Sequence, residues 1–150
     1  MKPELTKRAD YAIRAMLALA RADRNTPLST RRIADDRQIP SRFLSQVMRD
    51  LGRANLVQAD TGRNGGYRLG RPSADISLLD VIEAIEGDSR RRSCVLRGSP
   101  CGGSGFCDVH DVFFAAQDAL LGTLGSASLA AIVAATAEPA DRPTAGRPRR

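Results

Sequence analysis

The sequence predicts a mainly α-helical fold with one small β-hairpin, and three observations support this fold class. Apolar residues recur at spacings of three and four over several segments, as they do in amphipathic helices. A glycine-rich stretch at residues 61–66 separates two short apolar runs, as in a hairpin. The chain has 150 residues, 42% of them hydrophobic, so we expect one domain whose core needs no disulfide support.

Apolar spacing and helix-boundary residues predict three helices in the first third of the chain. The first, over residues 5–21, carries an apolar stripe formed by Ala9, Ala12, Ile13, Met16, Leu17, Leu19 and Ala20. Ser29 is expected to cap a short second helix whose Ile33 and Ala34 face inward. Pro40 is expected to end this second helix, and Ser41 to cap the third. The third helix has an apolar face of Phe43, Leu44, Val47, Met48 and Leu51, and a polar face of Arg42, Ser45, Gln46, Arg49 and Arg53.

The segment after the third helix predicts a β-hairpin with a basic tip. Residues 56–60 and 67–69 are expected to pair as strands, and the glycines between them permit the positive φ angles of a tight turn. Arg63 is expected to project from this tip. Helix, turn, helix and glycine-rich hairpin in this order are typical of a winged helix-turn-helix, which binds DNA. The alternative interpretation is a hairpin that only completes the core.

Helical spacing resumes in the second half of the chain. Ser77 is expected to cap a fourth helix over residues 78–86, which Gly87 ends. A long helix follows from residue 109 to about 124, and Ser126 or Ser128 is expected to cap a short last helix through residue 134. The predicted organisation is a winged helix-turn-helix at 1–87, a cysteine loop at 88–108, C-terminal helices at 109–136 and a disordered basic tail at 137–150.

The charge of the chain is unevenly distributed. The formal net charge is +6, and residues 1–92 carry 18 Lys and Arg against 12 Asp and Glu. Residues 93–138 hold one Arg against four acidic residues. A basic first part favours binding of a polyanion, and a solvated basic surface is the alternative. No apolar run approaches the ~20 residues of a membrane helix, and the N-terminus lacks the features of a signal peptide, so we expect a cytoplasmic protein with no membrane partner.

The polar face of the third helix supplies candidates for DNA contact. In the major groove, Arg and Gln side chains can read base edges. Arg31 and Arg32 are expected to contact phosphates, and Arg63 to contact the phosphate backbone or the groove beside the wing. The residues expected to face the major groove are Ser41, Arg42, Ser45, Gln46 and Arg49.

All three cysteines, Cys94, Cys101 and Cys107, lie inside one Gly- and Ser-rich segment of 14 residues. The only histidine, His110, follows this segment. An odd cysteine count argues against a disulfide framework. Clustered thiolates suit an iron–sulfur cluster, a thiol switch or zinc, in that order, because zinc ligands usually come as closer Cys pairs. Three buried core cysteines are a further alternative, which the surrounding glycines disfavour.

With these features the chain resembles the Rrf-type bacterial winged-helix transcription regulators that carry an iron–sulfur cluster, the IscR- and NsrR-like proteins. The resemblance covers residues 5 to about 133. It rests on the three cysteines and on four segments: Asp10–Leu17, Ile39–Leu44, Gly62–Leu69 and Ile76–Ile82. It implies a homodimer held by the C-terminal helices at 109–136, which then serve as dimerisation helices, bound to a two-fold symmetric double-stranded DNA operator.

The resemblance also implies a cluster, 4Fe-4S in preference to 2Fe-2S, held by the three cysteines and one further ligand. That ligand is His110 by similarity to IscR-like members, or Asp10 of the partner subunit by similarity to NsrR-like members. We prefer Asp10, because an oxygen ligand is a weak anchor that leaves one iron open to a small molecule. The alternative for Asp10 is an ordinary solvated ion pair with Arg8 or Arg14. The alternative for His110 is a surface histidine that binds no cluster.

The expected function is a non-enzymatic repressor whose DNA affinity depends on the cluster. The sequence contains no P-loop, Ser/His/Asp arrangement or paired catalytic carboxylates. Nitric oxide is the first candidate for the sensed molecule, iron–sulfur status the second, and oxygen or peroxide is also compatible. The alternatives are a cluster-free regulator that uses a thiol switch or zinc, and a small iron–sulfur electron carrier, which would have no use for a basic wing.

Overall fold

The computed structural model describes residues 4–23, 25–87 and 108–137. In these ranges the chain is mainly helical with one two-stranded antiparallel sheet, which confirms the predicted fold class. The elements in chain order are α1 (Lys7–Arg21), α2 (Thr30–Arg37), α3 (Ser41–Arg53), β1 (Val57–Asp60), β2 (Gly66–Leu69), a 3-10 turn (Ser73–Asp75), α4 (Leu78–Glu86), α5 (His110–Ser126) and α6 (Leu129–Ala137). The predicted cluster ligands Cys94, Cys101 and Cys107, and residues 138–150 of the predicted tail, lie outside the described residues.

Side-chain caps determine where α1, α2 and α4 begin. Thr6, Ser29 and Ser77 each accept a hydrogen bond from the backbone amide three residues further along. At α4 the bond is reciprocal, because the Asp80 carboxylate accepts from the Ser77 amide. Such caps satisfy amides that have no partner inside the helix. The predicted caps at Ser29 and Ser77 are therefore confirmed.

The start of α3 differs from the prediction. Pro40 occupies the N-cap position, and Ser41 is the first residue of α3. Gln38 adopts a left-handed conformation, with φ 54° and ψ 45°, and ends α2. Pro40 has an extended backbone, with φ −60° and ψ 127°, and its carbonyl accepts the amides of Phe43 and Leu44. The fixed φ of proline suits this position, so Ser41 is not needed as a cap.

Of the two caps predicted for the last helix, Ser128 is confirmed, and only the end of the helix differs from the prediction. Ser126 is the last residue of α5, and Ser128 is the residue that caps α6, by accepting a hydrogen bond of 3.1 Å from the Ala131 amide. The helix extends to Ala137, three residues beyond the predicted end. Its first residue, Leu129, is fully buried in the same core as the N-terminal helices.

The core forms where α1 packs against α2, α3, α4 and α6. The buried face of α1 consists mainly of small side chains, Ala9, Ala12, Ala15 and Ala18, together with Met16 and Leu19. The small residues let the neighbouring helices approach closely. Ile13 and Leu17, which belong to the predicted stripe, are only partly buried. On α3, the residues that line the core are Leu44, Val47, Met48 and Leu51.

A backbone bridge attaches the hairpin to the residue just before the cap of α2. β1 pairs with β2 in the register Val57↔Leu69 to Asp60↔Gly66. Leu28 forms an isolated bridge to Tyr67, with backbone hydrogen bonds of 2.8 and 2.9 Å in the two directions. Gly66 is required beside this bridge, because a Cβ there would overlap the backbone of Leu28. The wing is therefore fixed directly to the helix-turn-helix.

α5 has a different environment from the other long helices. None of its residues is buried, and it packs mainly against α4. Val112 is 71% exposed and Leu120 is 46% exposed. Across the described ranges, no helix is both long enough and apolar enough to span a membrane.

Candidate nucleic-acid interface and ligand residues

The polar face of α3 forms one continuous exposed surface. Leu44, Val47, Met48 and Leu51 face the core, and at 3.6 residues per turn the opposite side of α3 must face solvent. The structure therefore brings together all five residues predicted to face a major groove: Ser41, Arg42, Ser45, Gln46 and Arg49 are all exposed. This surface, defined by those five residues, is called the α3 face below.

Phe43 extends the α3 face, although it is predicted on the apolar side. It lies about 100° around the helix from Leu44, at the margin of the core, and is 37% exposed. Its ring contacts Tyr11 of α1 with centroids 5.8 Å apart. The Arg42 guanidinium carbon lies 4.7 Å from the Phe43 ring centroid, within the range of a cation–π contact. Phe43 thus links α1 to an arginine of the α3 face.

α2 contributes two further exposed arginines. Arg31 Nε lies 3.8 Å from Asp35 Oδ2, and Arg32 Nε lies 3.6 Å from Asp36 Oδ2, each one helical turn along. The four side chains are more than half exposed, and exposed ion pairs of this kind are worth about 0.3–0.5 kcal/mol. Both guanidinium groups can therefore exchange these partners for a phosphate at little cost.

The hairpin tip places Arg63 on the surface. Gly62 begins the turn with φ 114°, a conformation that glycine adopts without steric strain. Arg63 is exposed at the tip. At the base of the hairpin, Arg68 Nη2 pairs with Asp60 Oδ1 at 3.0 Å across the two strands. Arg63 is therefore the arginine that the tip leaves in solvent.

Asp50 is an acidic residue of α3 that the apolar and basic patterns of the sequence do not single out. Its side chain is only 12% exposed. It forms an ion pair with Arg8 of α1 and accepts hydrogen bonds from Gln46 and Arg53 of its own helix. An aspartate one turn after Gln46, in a helix that is otherwise basic, is the feature of the sequence that could have revealed it.

Asp10 lies in the first turn of α1 and is paired with Arg14. Arg14 Nε donates to Asp10 Oδ1 at 3.0 Å, and Arg14 Nη2 lies 2.6 Å from Asp10 Oδ2. This is the ion pair expected from the sequence as the alternative to a ligand role. Both side chains are 44% exposed, and each carboxylate oxygen keeps a further lone pair. The pair leaves Asp10 accessible from solvent.

His110 is the first residue of α5. Its ring lies against Phe114 one turn along, with centroids 4.1 Å apart and planes inclined by 40°. The cysteines that would complete a site with either residue lie outside the described ranges. Among the residues the structure describes, no three His, Cys, Asp or Glu side chains are grouped so that they could hold a metal ion.

Comparison with known proteins identifies similar chains. The family model Rrf2, described as an iron-dependent transcriptional regulator, matches residues 5–135. The HTH-type transcriptional regulator NsrR of Bacillus licheniformis is 31% identical over 131 residues, which cover 87% of this chain and 92% of the relative. An HTH-type relative from Mycobacterium tuberculosis is 40% identical over 83 residues, 55% of this chain and 52% of the relative. The chain therefore spans about half the length of that relative.

Solved structures support the same fold. IscR of T. potens superposes with a TM-score of 0.76 at 25% identity, covering 90% of this chain and 89% of that chain. CymR of B. subtilis, described as the global cysteine regulator, superposes with a TM-score of 0.78 at 24% identity, covering 89% of this chain and 98% of that chain. The likeness to CymR shows the fold alone.

Proposed function

The chain belongs to the Rrf2 family of iron-dependent transcriptional regulators, and on that premise we propose that it is a homodimeric repressor that binds DNA and is controlled by an iron–sulfur cluster. The observation that carries the proposal is the α3 face, an exposed row of arginine, glutamine and serine side chains on a helix fixed to the core. A basic wing beside it and two loosely paired arginines on α2 complete a surface suited to duplex DNA.

Each part of this surface has a distinct task in the proposal. Arg42, Gln46 and Arg49 have the donors and acceptors that read base edges in a major groove, each good bidentate contact being worth about 1–3 kcal/mol of discrimination. Arg31 and Arg32 bind phosphates and set affinity and register without reading sequence. The Arg63 side chain follows the backbone or the minor groove beside the wing.

The exposed apolar residues of α5 support a dimer. Val112 and Leu120 project from a helix with no buried residue, and large apolar side chains in that position are typical of a protein–protein interface. Two copies related by a two-fold axis would cover both helices with the same surface. Such a dimer presents two α3 faces with two-fold symmetry, which suits a palindromic operator.

The proposed cluster would be held by Cys94, Cys101, Cys107 and one more residue, for which Asp10 of the partner subunit is preferred over His110. The chemistry of this donor set fits: three soft thiolates suit iron–sulfur ligation, and the half-exposed Asp10 carboxylate has lone pairs beyond its bonds to Arg14. When bound, the cluster would supply an iron site that a small molecule such as nitric oxide can reach.

Contacts of α1 give Asp10 a physical connection to the DNA surface. Its neighbour Tyr11 packs on Phe43, which lies beneath the Arg42 guanidinium. Two residues before Asp10, Arg8 pairs with Asp50 of α3. A change in the partners of Asp10 would therefore act on α1, and α1 contacts α3 through both Tyr11 and Arg8. The proposed regulation would use the α1–α3 contact as its two-state element.

Two single variants, Asp10→Ala and His110→Ala, test the assignment of the fourth ligand. Both proteins are reconstituted anaerobically with iron and sulfide, and the absorption and circular dichroism spectra are recorded before and after nitric oxide. Affinity is measured on a duplex that the wild-type protein has selected from randomised DNA. We expect Asp10→Ala to change the spectrum and abolish the nitric oxide response of DNA binding, and His110→Ala to leave both unchanged.

The converse result would contradict this assignment. If His110→Ala abolishes the cluster spectrum and Asp10→Ala has no effect, His110 is the ligand and the similarity to IscR-like members governs the site. A wild-type protein that binds DNA but takes up no iron would favour a cluster-free thiol switch, or a zinc site if it contains zinc. A coloured protein without affinity for any duplex would favour an electron carrier.

A further inference from the structure

We infer that Asp50 is a positioning residue that determines base specificity, because it holds the Gln46 amide group with its nitrogen inward and its oxygen toward the DNA. This inference deepens the proposed function and rests on it, since it requires the α3 face to lie in a major groove. It predicts which bases Gln46 can accept.

The geometry of the Gln46–Asp50 pair determines the orientation of the amide. Gln46 Nε2 lies 3.2 Å from Asp50 Oδ1 and 3.4 Å from Asp50 Oδ2. A carboxylate offers only acceptors, so the group that faces it must be the NH₂ of the amide. The reverse orientation would place two oxygens in contact. The amide oxygen of Gln46 therefore points away from Asp50, on the exposed side of α3.

Asp50 itself is held in place from two further directions. Arg8, from the first turn of α1, forms an ion pair with its Oδ2. Arg53 Nη1 lies 3.4 Å from Oδ1. The Asp50 side chain is 12% exposed, so it lies against the α1–α3 contact and has little freedom to move. A fixed acceptor beneath a flexible glutamine removes one of the two amide orientations that glutamine otherwise adopts with similar ease.

This orientation has a consequence for base recognition. An outward oxygen accepts hydrogen bonds, and in the major groove the exocyclic amino groups of adenine and cytosine donate them. Guanine and thymine present acceptors, O6 and O4, at the corresponding positions. The remaining N–H of the Gln46 amide can still approach N7 of adenine. We therefore expect adenine or cytosine, in preference to guanine or thymine, at the one position in each half-site that Gln46 contacts.

The experiment compares base preferences of variants on a randomised pool of duplex DNA, followed by affinity measurements on the duplexes selected. Gln46→Ala identifies the position that Gln46 reads. Asp50→Asn keeps the shape of the side chain but allows either orientation of the Gln46 amide, so the preference at that position is expected to fall about tenfold. In the double variant, Asp50→Asn should add nothing at that position to the effect of Gln46→Ala.

Two controls separate specificity from charge and folding. Asp75→Asn removes the same charge from an exposed residue of the 3-10 turn, and it should leave the preference at every position unchanged. The wild-type preference at the position that Gln46→Ala identifies is a second test, in which adenine or cytosine is expected. This second measurement keeps the inference testable if Asp50→Asn does not fold, which thermal denaturation of each variant establishes.

Each failure has its own signature. If Gln46→Ala relaxes one position and Asp50→Asn relaxes none, or weakens all sequences equally, the role of Asp50 is overturned and the α3 face keeps its place. A wild-type preference for guanine or thymine at the position that Gln46→Ala identifies would also overturn it. If Gln46→Ala changes no position at all, the placement of the α3 face in the groove is wrong, and the inference for Asp50 is overturned together with it.

Discussion

The helix-turn-helix core and α5 are both helical, but they differ in how their apolar residues are covered. Within α1–α4, side chains such as Met16, Ile33, Leu44 and Val81 are fully buried. α5 has no buried residue in the described part of the chain, and Val112 is 71% exposed. Most helical stability comes from packing of an apolar face, and α1–α4 supply this packing within one chain. In the dimer proposed above, a second copy would cover α5.

α6 differs from α5 in its contacts with the core. Although α6 follows α5 directly, its Leu129 is fully buried, and the helix packs against α1 and the 3-10 turn. Arg21 Nη2 also donates to Thr136 Oγ1 at 2.9 Å, which links the ends of the two helices. The chain therefore returns to the core after α5. Among the described C-terminal residues, the exposed large apolar side chains lie on α5 or just before it, and Leu129 of α6 is buried.

The largest effect on the free energy of unfolding is expected from a substitution in the core. Leu44→Ala removes a fully buried side chain and should lower the free energy of unfolding by about 2–5 kcal/mol, because it creates a cavity. Urea denaturation followed by circular dichroism measures this change. The matched control is Leu5→Ala, the same substitution at a residue that is 45% exposed, with an expected change of about 0.5 kcal/mol or less. Equal losses for the two variants would show that the core is not organised as described.

The next largest effect is expected at α5, where Val112 and Leu120 are exposed. Leu120→Glu places a charge on the exposed apolar surface and should weaken the proposed dimer at least about tenfold, or about 1.4 kcal/mol, while the core remains folded. Sedimentation equilibrium gives the dimer constant, and circular dichroism reports the fold. Ala74→Glu adds the same charge at an exposed residue of the 3-10 turn and should leave the dimer intact. A dimer of Leu120→Glu as tight as that of the wild type would exclude α5 from the interface.

Features that depend on local chemistry could be predicted from the sequence. Ser29 and Ser77 cap helices because their side chains reach amides three residues away. The polar face of α3 follows from the helical period alone. The arrangement of Arg31 and Arg32 one turn before Asp35 and Asp36 is equally local. These features need no knowledge of what packs against the helix.

Features that depend on distant parts of the chain could not be predicted in this way. Leu28, the residue before the Ser29 cap, pairs with Tyr67 of β2, a contact that the local sequence around α2 does not indicate. Phe43 is exposed since its place at the margin of the core depends on where α1 lies. The spacing of Asp50 from Gln46 is visible in the sequence, but its ion pair with Arg8 of α1 is not. The apolar spacing identifies a buried face but not the partner that buries it.

The smallest effect on stability is expected from removing an exposed charge of α2. Arg31→Ala should leave the free energy of unfolding within about 0.5 kcal/mol of the wild type, because its ion pair with Asp35, at 3.8 Å, lies in solvent. DNA affinity should fall by a similar factor for all sequences, since an interaction with phosphate carries no base information. The slope of log affinity against log salt concentration should decrease by about 0.9 for each phosphate that the variant no longer neutralises. Arg21→Ala, which removes the same charge at the α1–α6 contact, should leave the salt slope unchanged. A reduction in affinity confined to particular sequences would instead place Arg31 against base edges. An unchanged salt slope for Arg31→Ala would exclude α2 from the interface and leave DNA binding to the α3 face and the wing.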